Sequence, residues 1–467
     1  MKTGIRSDLK KVIPRGLWPF CRFFDWYLIN ALYVYFAVIR FFSGHFIKHR
    51  DPMEQSIPVF PANIDFGIDP SVNLIVQIEK AGLKYEAGRQ SIYINDEQDI
   101  ARINPDILPR YPKRVGLKLI KSREISPDTT PYYTSQKLAP NSTWFSMIAV
   151  GSMLEKTVIS NLLHEEGVAP RVYDLIRLES TDGGYQYAFI VQPVAGKAVV
   201  GEAGVRFMTH FKNTLNKLGI RIISIKEHCD LRPPDFRHNI IADSDGVYYI
   251  DIQNFALFNK NYSRKLINAM ERHNRFTASV TYKKKILSGS IQKRWKGRYY
   301  CNDNSNEENI ITFLKRNRVK IENSTLLDFC LADEFMTICA LNSKAKWSIA
   351  VRPDDIASFV RKYLYYRGFT RFDVVKRKQF LDAAYPIAPL KKYDLAVYSP
   401  QNQNESLFWL KRIQTDFILI VHTVKPEPEE LACTIKRLPV LVEIVEKKSI
   451  RWNGTICVSV VLCRICQ

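Results

Sequence analysis

The sequence Thr325-Leu326-Leu327-Asp328-Phe329 is typical of a short buried strand and opens the C-terminal third of the chain. Further apolar segments follow it at intervals, and stretches with helical spacing separate them. Alternation of strand and helix is typical of βαβ units and predicts a doubly wound parallel sheet. The predicted strands are 325–329, 347–351, 393–398 and 416–422, and the predicted helices are 334–341, 354–367 and 404–413.

Two apolar segments at the end of the chain, Val440 to Val445 and Ile456 to Cys463, are separated by Trp452-Asn453-Gly454. A turn of this composition predicts an antiparallel hairpin, which would close the edge of the sheet. This order of elements over residues 319–467 resembles the class I S-adenosylmethionine-dependent methyltransferases. The alternative is an unrelated Rossmann-type fold.

The resemblance implies a cofactor site that this sequence matches at Asp328 alone. Members of that family end the first strand in a Gly-rich turn, because the cofactor approaches the backbone closely. Here the turn from Asp328 to Glu334 contains no glycine, and Arg352 stands where an acidic residue should bind the ribose hydroxyls. We therefore expect a methyltransferase-like domain that does not bind S-adenosylmethionine in the usual way, and whose role is scaffolding or substrate positioning.

A second informative stretch precedes this domain: His228-Cys229-Asp230-Leu231-Arg232-Pro233-Pro234-Asp235-Phe236-Arg237-His238-Asn239, followed by Tyr248-Tyr249-Ile250-Asp251. Phosphoryl transfer needs a carboxylate that orients and deprotonates a hydroxyl, and an amide and a carboxylate that hold Mg²⁺. The stretch resembles the catalytic and metal-binding loops of the protein-kinase-like fold. The resemblance implies that Asp230 is catalytic and that Asn239 and Asp251 bind metal.

Two departures from the kinase pattern affect this assignment. The usual spacing after Asp230 leads to Asp235, so either Asp235 or Asn239 is the second metal ligand; we favour Asn239. The metal-binding motif continues as Asp251-Ile252-Gln253, without the usual glycine. Such a site suits the rigid small-molecule and lipopolysaccharide-sugar kinases of this fold.

The kinase resemblance also assigns residues to a nucleotide-binding lobe. The alternating segment Val115 to Lys121 predicts a strand, on which Lys118 would face the phosphates of ATP. Residues 143–166 have helical spacing, and Glu155 within them is the expected ion-pair partner of Lys118. Segments 168–175 and 187–194 predict a hairpin, at the end of which Gln192 and Val194 would offer backbone groups to adenine.

Composition limits the class of protein. A length of 467 residues predicts two or three domains, and a formal charge of +21 favours anionic partners. Nine cysteines without regular spacing do not form a disulfide framework, which predicts a reducing, cytoplasmic location. We expect an aromatic, basic N-terminal segment and linker (1–75), a kinase-like domain (76–262), a basic helical connector (263–318) and the methyltransferase-like domain (319–467).

The aromatic N-terminal stretch, residues 17–47, has two interpretations. Its uncharged run, Trp26 to Ile39, covers 14 residues, whereas a spanning helix needs about 20. Either it lies on the inner face of a membrane, as basic flanks suggest, or it packs on the kinase-like domain.

The sequence therefore predicts an α+β bilobal kinase-like domain followed by an α/β doubly wound domain. Its expected activity is ATP- and Mg²⁺-dependent transfer of phosphate to a sugar hydroxyl of an anionic, membrane-linked glycan such as lipopolysaccharide. Bacterial enzymes that cap surface polysaccharides combine such modules, and this analogy contributes to the expectation. The alternative is a non-catalytic pseudokinase and pseudomethyltransferase that binds a membrane or an anionic surface. Nucleic acid is a less favoured partner.

Overall fold

The structure of the protein is a computed structural model. It describes residues 57–66, 74–87, 91–120, 153–222, 239–250, 255–257, 310–329, 334–366, 368–382, 392–399, 407–422, 433–452 and 456–466. The predicted N-terminal membrane segment and most of the basic connector lie outside these residues. In the part of the chain that is described, no helix has the length and apolar character needed to cross a bilayer.

The N-terminal half contains a six-stranded sheet. Its strands are β1 (Val59–Ala62), β2 (Glu86–Ala87), β3 (Ser91–Ile94), β4 (Gly116–Ile120), β5 (Val172–Ser180) and β6 (Tyr185–Val191). Their order is β1-β5-β6-β4-β3-β2. All neighbours are antiparallel except β1, which pairs in parallel with β5.

Three helices accompany this sheet: α1 (Leu74–Lys80), α2 (Glu97–Ile103) and α3 (Met153–Glu165). Asp96 caps the first turn of α2 through a 2.9 Å bond from the Gln98 amide. Gly167 ends the segment after α3 with a φ of +74°, a conformation that glycine adopts without steric cost. The helix α3 packs on β5, and this contact sets the position of its C-terminal end.

Small elements follow β6. They are β7 (Lys197–Ala198), α4 (Gly201–Leu218), β8 (Ile220–Ile222), β9 (Ile240–Ala242), β10 (Val247–Tyr249) and β11 (Phe255–Leu257). Strands β7, β9 and β10 form one antiparallel sheet, and β8 pairs with β11. The backbone of Gly196 approaches β9 closely: a Cβ there would lie 1.8 Å from the Ala242 carbonyl oxygen, so this position requires glycine.

The C-terminal half contains a seven-stranded sheet with its helices. The elements are α5 (Ile310–Arg316), β12 (Thr325–Phe329), α6 (Phe335–Asn342), β13 (Trp347–Arg352), α7 (Ala357–Tyr366), β14 (Phe372–Lys376), α8 (Arg377–Leu381), β15 (Lys392–Tyr398), β16 (Gln414–His422), β17 (Val442–Trp452) and β18 (Ile456–Ile465). The order is β14-β13-β12-β15-β16-β18-β17.

Strands β12 to β16 are parallel, and β18 is antiparallel to both β16 and β17. The central strands are buried on both faces, which explains their nearly continuous apolar sequences. The order reverses at β12, since β13 lies on one side of it and β15 on the other. This is a doubly wound arrangement, as the alternation of apolar segments predicted.

The structure differs from the predicted elements in three places. Strand β1 lies within the predicted linker. Its residues Phe60 and Ala62 are buried in the core, although the segment contains two prolines. Strand β14 was not predicted, because Asp373 interrupts its apolar pattern. The predicted helix at 404–413 is a short 3-10 turn, Phe408–Arg412.

Both halves contribute to the same hydrophobic clusters. One cluster joins α3 and α4 to α6 and α7, with Leu162 and Phe211 beside Ile338 and Leu364. Another joins the six-stranded sheet to the seven-stranded sheet, including Leu117 and Trp347. Residues on both sides of the predicted boundary at 319 belong to these clusters, and the boundary itself stays a prediction. A bilobal kinase domain is not shown by this arrangement.

Candidate functional site

The C-terminal ends of β12 and β13 carry a buried ion pair. Arg352, the last residue of β13, donates from Nη2 to Asp328 Oδ2 over 2.7 Å. Its Nη1 lies 3.0 Å from the Asp328 carbonyl oxygen and 2.9 Å from the Val351 carbonyl oxygen. Both charged side chains are 0% exposed. In open α/β sheets this end of the strands is where ligands bind, so the pair occupies the expected binding crevice.

The same ion pair is connected to the start of α6. The Thr337 amide and hydroxyl donate to Asp328 Oδ2 over 3.2 and 2.6 Å. Glu334, which immediately precedes α6, has Oε1 3.9 Å from Arg352 Nε and is also buried. An amide in the first turn of a helix favours a negative charge. One arginine thus balances two carboxylates, and we call Asp328, Glu334 and Arg352 the carboxyl-edge cluster.

Four aromatic rings form a buried cluster on the face of β12 opposite to Asp328, because consecutive residues of a strand point to opposite faces. Phe329 ends β12 and stacks on Trp409, with ring centroids 4.8 Å apart. Phe380 and Tyr398 each contact both of these rings. Within the set of four rings the centroid distances are 4.8 to 6.2 Å. All four side chains are buried. On this face, the ends of β12 and β15 are therefore packed with the protein's own side chains.

These residues do not fit S-adenosylmethionine in the arrangement that the fold family implies. Ribose hydroxyls there bind an acceptor at the end of the second strand, whereas a guanidinium is a donor with no acceptor atom. The Asp328 carboxylate already accepts from Thr337 and Arg352. The expectation of an altered cofactor site came from Arg352 and the missing glycine, and it stays a prediction.

A second buried arginine, Arg171, lies between the two halves. Its Nη1 is 2.5 Å from Asp373 Oδ1, and its Nη2 donates to the carbonyl oxygens of Phe372 and of Thr370, the latter over 3.2 Å. These three acceptors belong to β14 or to the turn before it. The pKa of Asp373 lies below its ordinary value: burial opposes ionisation, but the charges of Arg171 and Lys113 and the hydrogen bonds from Arg171 and Trp347 together outweigh it.

The Arg171 guanidinium is also surrounded by aromatic rings. Its central carbon lies 5.0 to 5.9 Å from the centroids of Tyr173, Trp347, Tyr365 and Phe372. Cation–π contacts stabilise a desolvated guanidinium. Because Tyr173 belongs to β5 and the other three rings to the C-terminal half, the cation joins the two.

Further ion pairs cross between the halves. Arg371 Nε lies 3.7 Å from Asp174 Oδ2, and Arg361 Nε donates to Glu165 over 2.7 Å. Glu166 accepts from Lys362 on α7 and from Lys217 on α4. Burial raises the pKa of Glu166, but these two lysines outweigh it and the pKa lies below the ordinary value. We call Arg171, Asp373, Arg361, Glu165, Lys362 and Glu166 the inter-half network.

The kinase-type site residues are only partly described. Lys118 is buried on β4, and its ammonium lies 5.1 Å from the centroid of the Tyr93 ring. Gln192 binds the backbone of Arg171, and Val194 follows β6 without regular structure. Asn239 Nδ2 lies 3.4 Å from the Tyr249 hydroxyl.

Asp230, Asp235, Asp251 and the side chain of Glu155 lie outside the described residues, although α3 contains Glu155. Among residues that the structure describes, no group of three His, Cys, Asp or Glu side chains could hold a metal ion. The assigned roles of the site residues stay predictions.

Arg171 and Asp373 belong to none of the site motifs that were recognised in the sequence. Each of these two charged residues lies inside an apolar segment. This pattern could have indicated a buried ion pair, because a buried charge needs a partner. Identifying that partner required the fold, because the two residues are 202 positions apart.

No protein-family model matches the chain, and no curated protein is similar to it at a significant level. Solved structures do match. A SAM-dependent methyltransferase from Aquifex aeolicus is 16% identical, with 33% of this chain and 88% of that chain covered and a TM-score of 0.25. The Methanococcus jannaschii fibrillarin pre-rRNA processing protein is 14% identical (31% and 68% covered, TM-score 0.24).

A protein of the NADB-Rossmann superfamily from Streptococcus agalactiae is 12% identical, with 32% of this chain and 68% of that chain covered and a TM-score of 0.24. These structures are methyltransferase-like Rossmann proteins. Our prediction of an ATP-dependent kinase that phosphorylates a glycan was wrong: the comparison leads to a different class of protein and gives no support to ATP or Mg²⁺. Scores this low carry no argument for the activity of this chain.

Proposed function

We propose that the C-terminal half of this chain is an intramolecular scaffold: a methyltransferase-like sheet that fixes α3 and the six-stranded sheet in one arrangement. The observation that carries this proposal is Arg171, a buried cation of the N-terminal half whose hydrogen-bond acceptors on Asp373, Thr370 and Phe372 all belong to the C-terminal half.

The energetics favour such a role. Removing one member of a buried charged network leaves its partners without compensation and costs about 3–5 kcal/mol. Arg171 binds one carboxylate and two carbonyl oxygens, so its loss affects several groups at once. Phe372 lies on β14, an edge strand of the described sheet, and its carbonyl oxygen accepts from Arg171. The arginine therefore also covers part of a sheet edge that would otherwise expose backbone acceptors.

The end of α3 gives a second, independent connection. Glu165 binds Arg361, and Glu166 binds Lys362; both cations are on α7. Cations near the C-terminal end of a helix also interact favourably with its dipole. The C-terminal half therefore fixes the position of β5 through its contacts with Arg171, and the position of α3 through the ion pairs of α7.

Amide hydrogen exchange of the full chain tests this function. In Arg171→Met we expect faster amide exchange in α3 and β5 than in the wild type. The local opening that permits exchange costs less free energy in this variant, because it no longer has to break the Arg171 contacts. In Arg114→Met, which removes an exposed pair with Glu97 at 3.9 Å, both elements should exchange as in the wild type. Arg361→Gln provides a milder variant if Arg171→Met does not fold. Unchanged exchange of α3 and β5 in both Arg171→Met and Arg361→Gln would disprove the scaffold.

A kinase-like arrangement of residues 76–262 stays a proposal about fold alone. It is supported by the succession of strand β4, helix α3, hairpin β5–β6 and helix α4. The predicted anionic glycan or glycolipid partner rests on the net charge of +21 and also stays a proposal. A cosedimentation assay with anionic and neutral vesicles would test that partner directly.

A further inference from the structure

The three nitrogen atoms of Arg352 all point to protein atoms. Nη2 binds the Asp328 carboxylate, Nη1 lies within 3.0 Å of two carbonyl oxygens, and Nε lies 3.9 Å from Glu334. The side chain is 0% exposed. The guanidinium is therefore used inside the domain and is not presented to a ligand.

The charges of the carboxyl-edge cluster explain why an arginine is needed. Asp328 and Glu334 are both buried, and two carboxylates in a low-dielectric site repel each other and lose hydration. A cation between them compensates for both effects. Arginine suits this position, because its fork of donors reaches a carboxylate and backbone carbonyls at the same time.

We propose that Arg352 is a built-in counter-ion that has replaced a bound ligand at the C-terminal edge of the seven-stranded sheet. It holds the ends of β12 and β13 against the start of α6, as a ligand in this crevice would do. The domain is consequently closed to S-adenosylmethionine in the usual arrangement, because the side chain at the end of the second strand offers donors only and these are bound inside the protein. This inference does not depend on the scaffold function.

Thermal unfolding of the full chain with S-adenosylmethionine and S-adenosylhomocysteine as probes tests the closure. A ligand that binds the native state raises the Tm in proportion to the logarithm of its concentration once it is in excess. We expect the wild-type Tm to stay unchanged up to about 1 mM of either probe. A saturable rise in Tm with either probe would overturn the proposal.

Variants test the counter-ion itself. Arg352→Met removes the cation and should lower the Tm far more than Arg464→Met, which removes an exposed arginine 4.0 Å from Glu443 in the same sheet. The double variant Arg352→Met and Asp328→Asn removes both charges of the closest pair and should recover part of the loss. Equal effects of Arg352→Met and Arg464→Met would contradict the proposal.

If Arg352→Met does not fold, the double variant and the wild-type titration still decide the matter. In that case we expect the double variant to fold, and a double variant that also fails to fold would overturn the pairing. Failure of the scaffold is recognised separately, because that experiment follows hydrogen exchange in α3 and β5 of variants at Arg171 and Arg361.

Discussion

Arg171 and Arg352 are both buried, and each is held by carboxylate and carbonyl oxygens, but they act over different distances in the chain. The partners of Arg352 are on β12, on its own strand β13 and at the start of α6, all within 24 residues. Arg171 reaches Thr370, Phe372 and Asp373, which are 199 to 202 residues away. The first arginine completes one domain, whereas the second connects two parts of the molecule.

The difference also appears in their surroundings. Arg352 lies between two carboxylates and balances an excess of negative charge. Arg171 has a single bonded carboxylate, two carbonyl acceptors and four aromatic rings, so its positive charge is stabilised by one ion pair together with cation–π contacts and backbone dipoles. A buried arginine can therefore replace a ligand in one place and join two sheets in another.

The largest expected effect is that of Arg171→Met on stability. We expect the free energy of unfolding to fall by about 3–5 kcal/mol, because Asp373 and two carbonyl oxygens lose their donor in a buried site. Chemical denaturation measures this. The matched exposed change Arg114→Met should cost about 0–1 kcal/mol. A similar loss for the two variants would remove the distinction between a connecting and a surface arginine.

The next effect is a pH dependence that originates beside Arg171. Burial and then the Arg171 charge lower the pKa of His164 from 6.5 to about 4. Below pH 6.5 the unfolded chain gains a proton that the folded protein does not bind, so stability falls as the pH decreases towards 4, by about 3 kcal/mol in total. Glu166 and Asp373, whose pKa values are lowered, add to this loss only at the acidic end.

Denaturation at a series of pH values measures this dependence. His164→Asn should flatten the profile between pH 6.5 and about 5. The exposed His210→Asn should keep the wild-type slope. In Arg171→Met, NMR titration should give a higher pKa for His164 than in the wild type, since the nearby cation is absent. An unchanged pKa there would show that Arg171 does not influence this end of α3.

A double-mutant cycle with Asp373→Asn separates the ion pair from the rest of the Arg171 site. We expect Asp373→Asn to cost about 1–3 kcal/mol, less than Arg171→Met, because the carbonyl acceptors and the rings remain. The two changes together should cost less than their sum, since each removes the same pair. Additive costs would mean that the pair contributes nothing of its own.

The smallest expected effect is that of Lys217, an exposed lysine of α4 that binds Glu166 of the inter-half network. Lys217 is largely exposed and binds Glu166 over 2.6 Å. We expect Lys217→Met to lower stability by about 0–1 kcal/mol and to lose even this effect at high salt. Lys362→Met, at a less exposed position, should cost more. Equal costs in stability for Lys217→Met and Lys362→Met would show that the difference in burial does not change the contribution of these two lysines.

The elements of the C-terminal half were largely predictable from sequence. The apolar segments at 325–329, 347–351 and 393–398 lie within or on strands β12, β13 and β15, because strands buried on both faces leave continuous apolar runs. The unusual cofactor edge was also detectable, since Arg352 and the glycine-free turn are visible in the chain. Strand β14 was missed because Asp373 lies in it, and that carboxylate is explained by partners distant in the chain, Arg171 above all.

The motif between His228 and Asp251 led to a kinase activity that the comparison contradicts. A short motif specifies which side chains are near one another in sequence, but its chemistry depends on the fold that surrounds it. Most of that motif lies outside the described residues, so the individual metal and catalytic assignments stay predictions.

Sequence alone determined the alternation of strands and helices, the net positive charge and the position of Arg352 at the end of a strand. These properties are local, since they follow from periodicity and composition. The tertiary structure decided that the two halves share their hydrophobic clusters, that Arg171 meets Asp373, and that one guanidinium lies between Asp328 and Glu334. Such pairings depend on how distant segments pack, because a buried charge selects its partner in space and not along the chain.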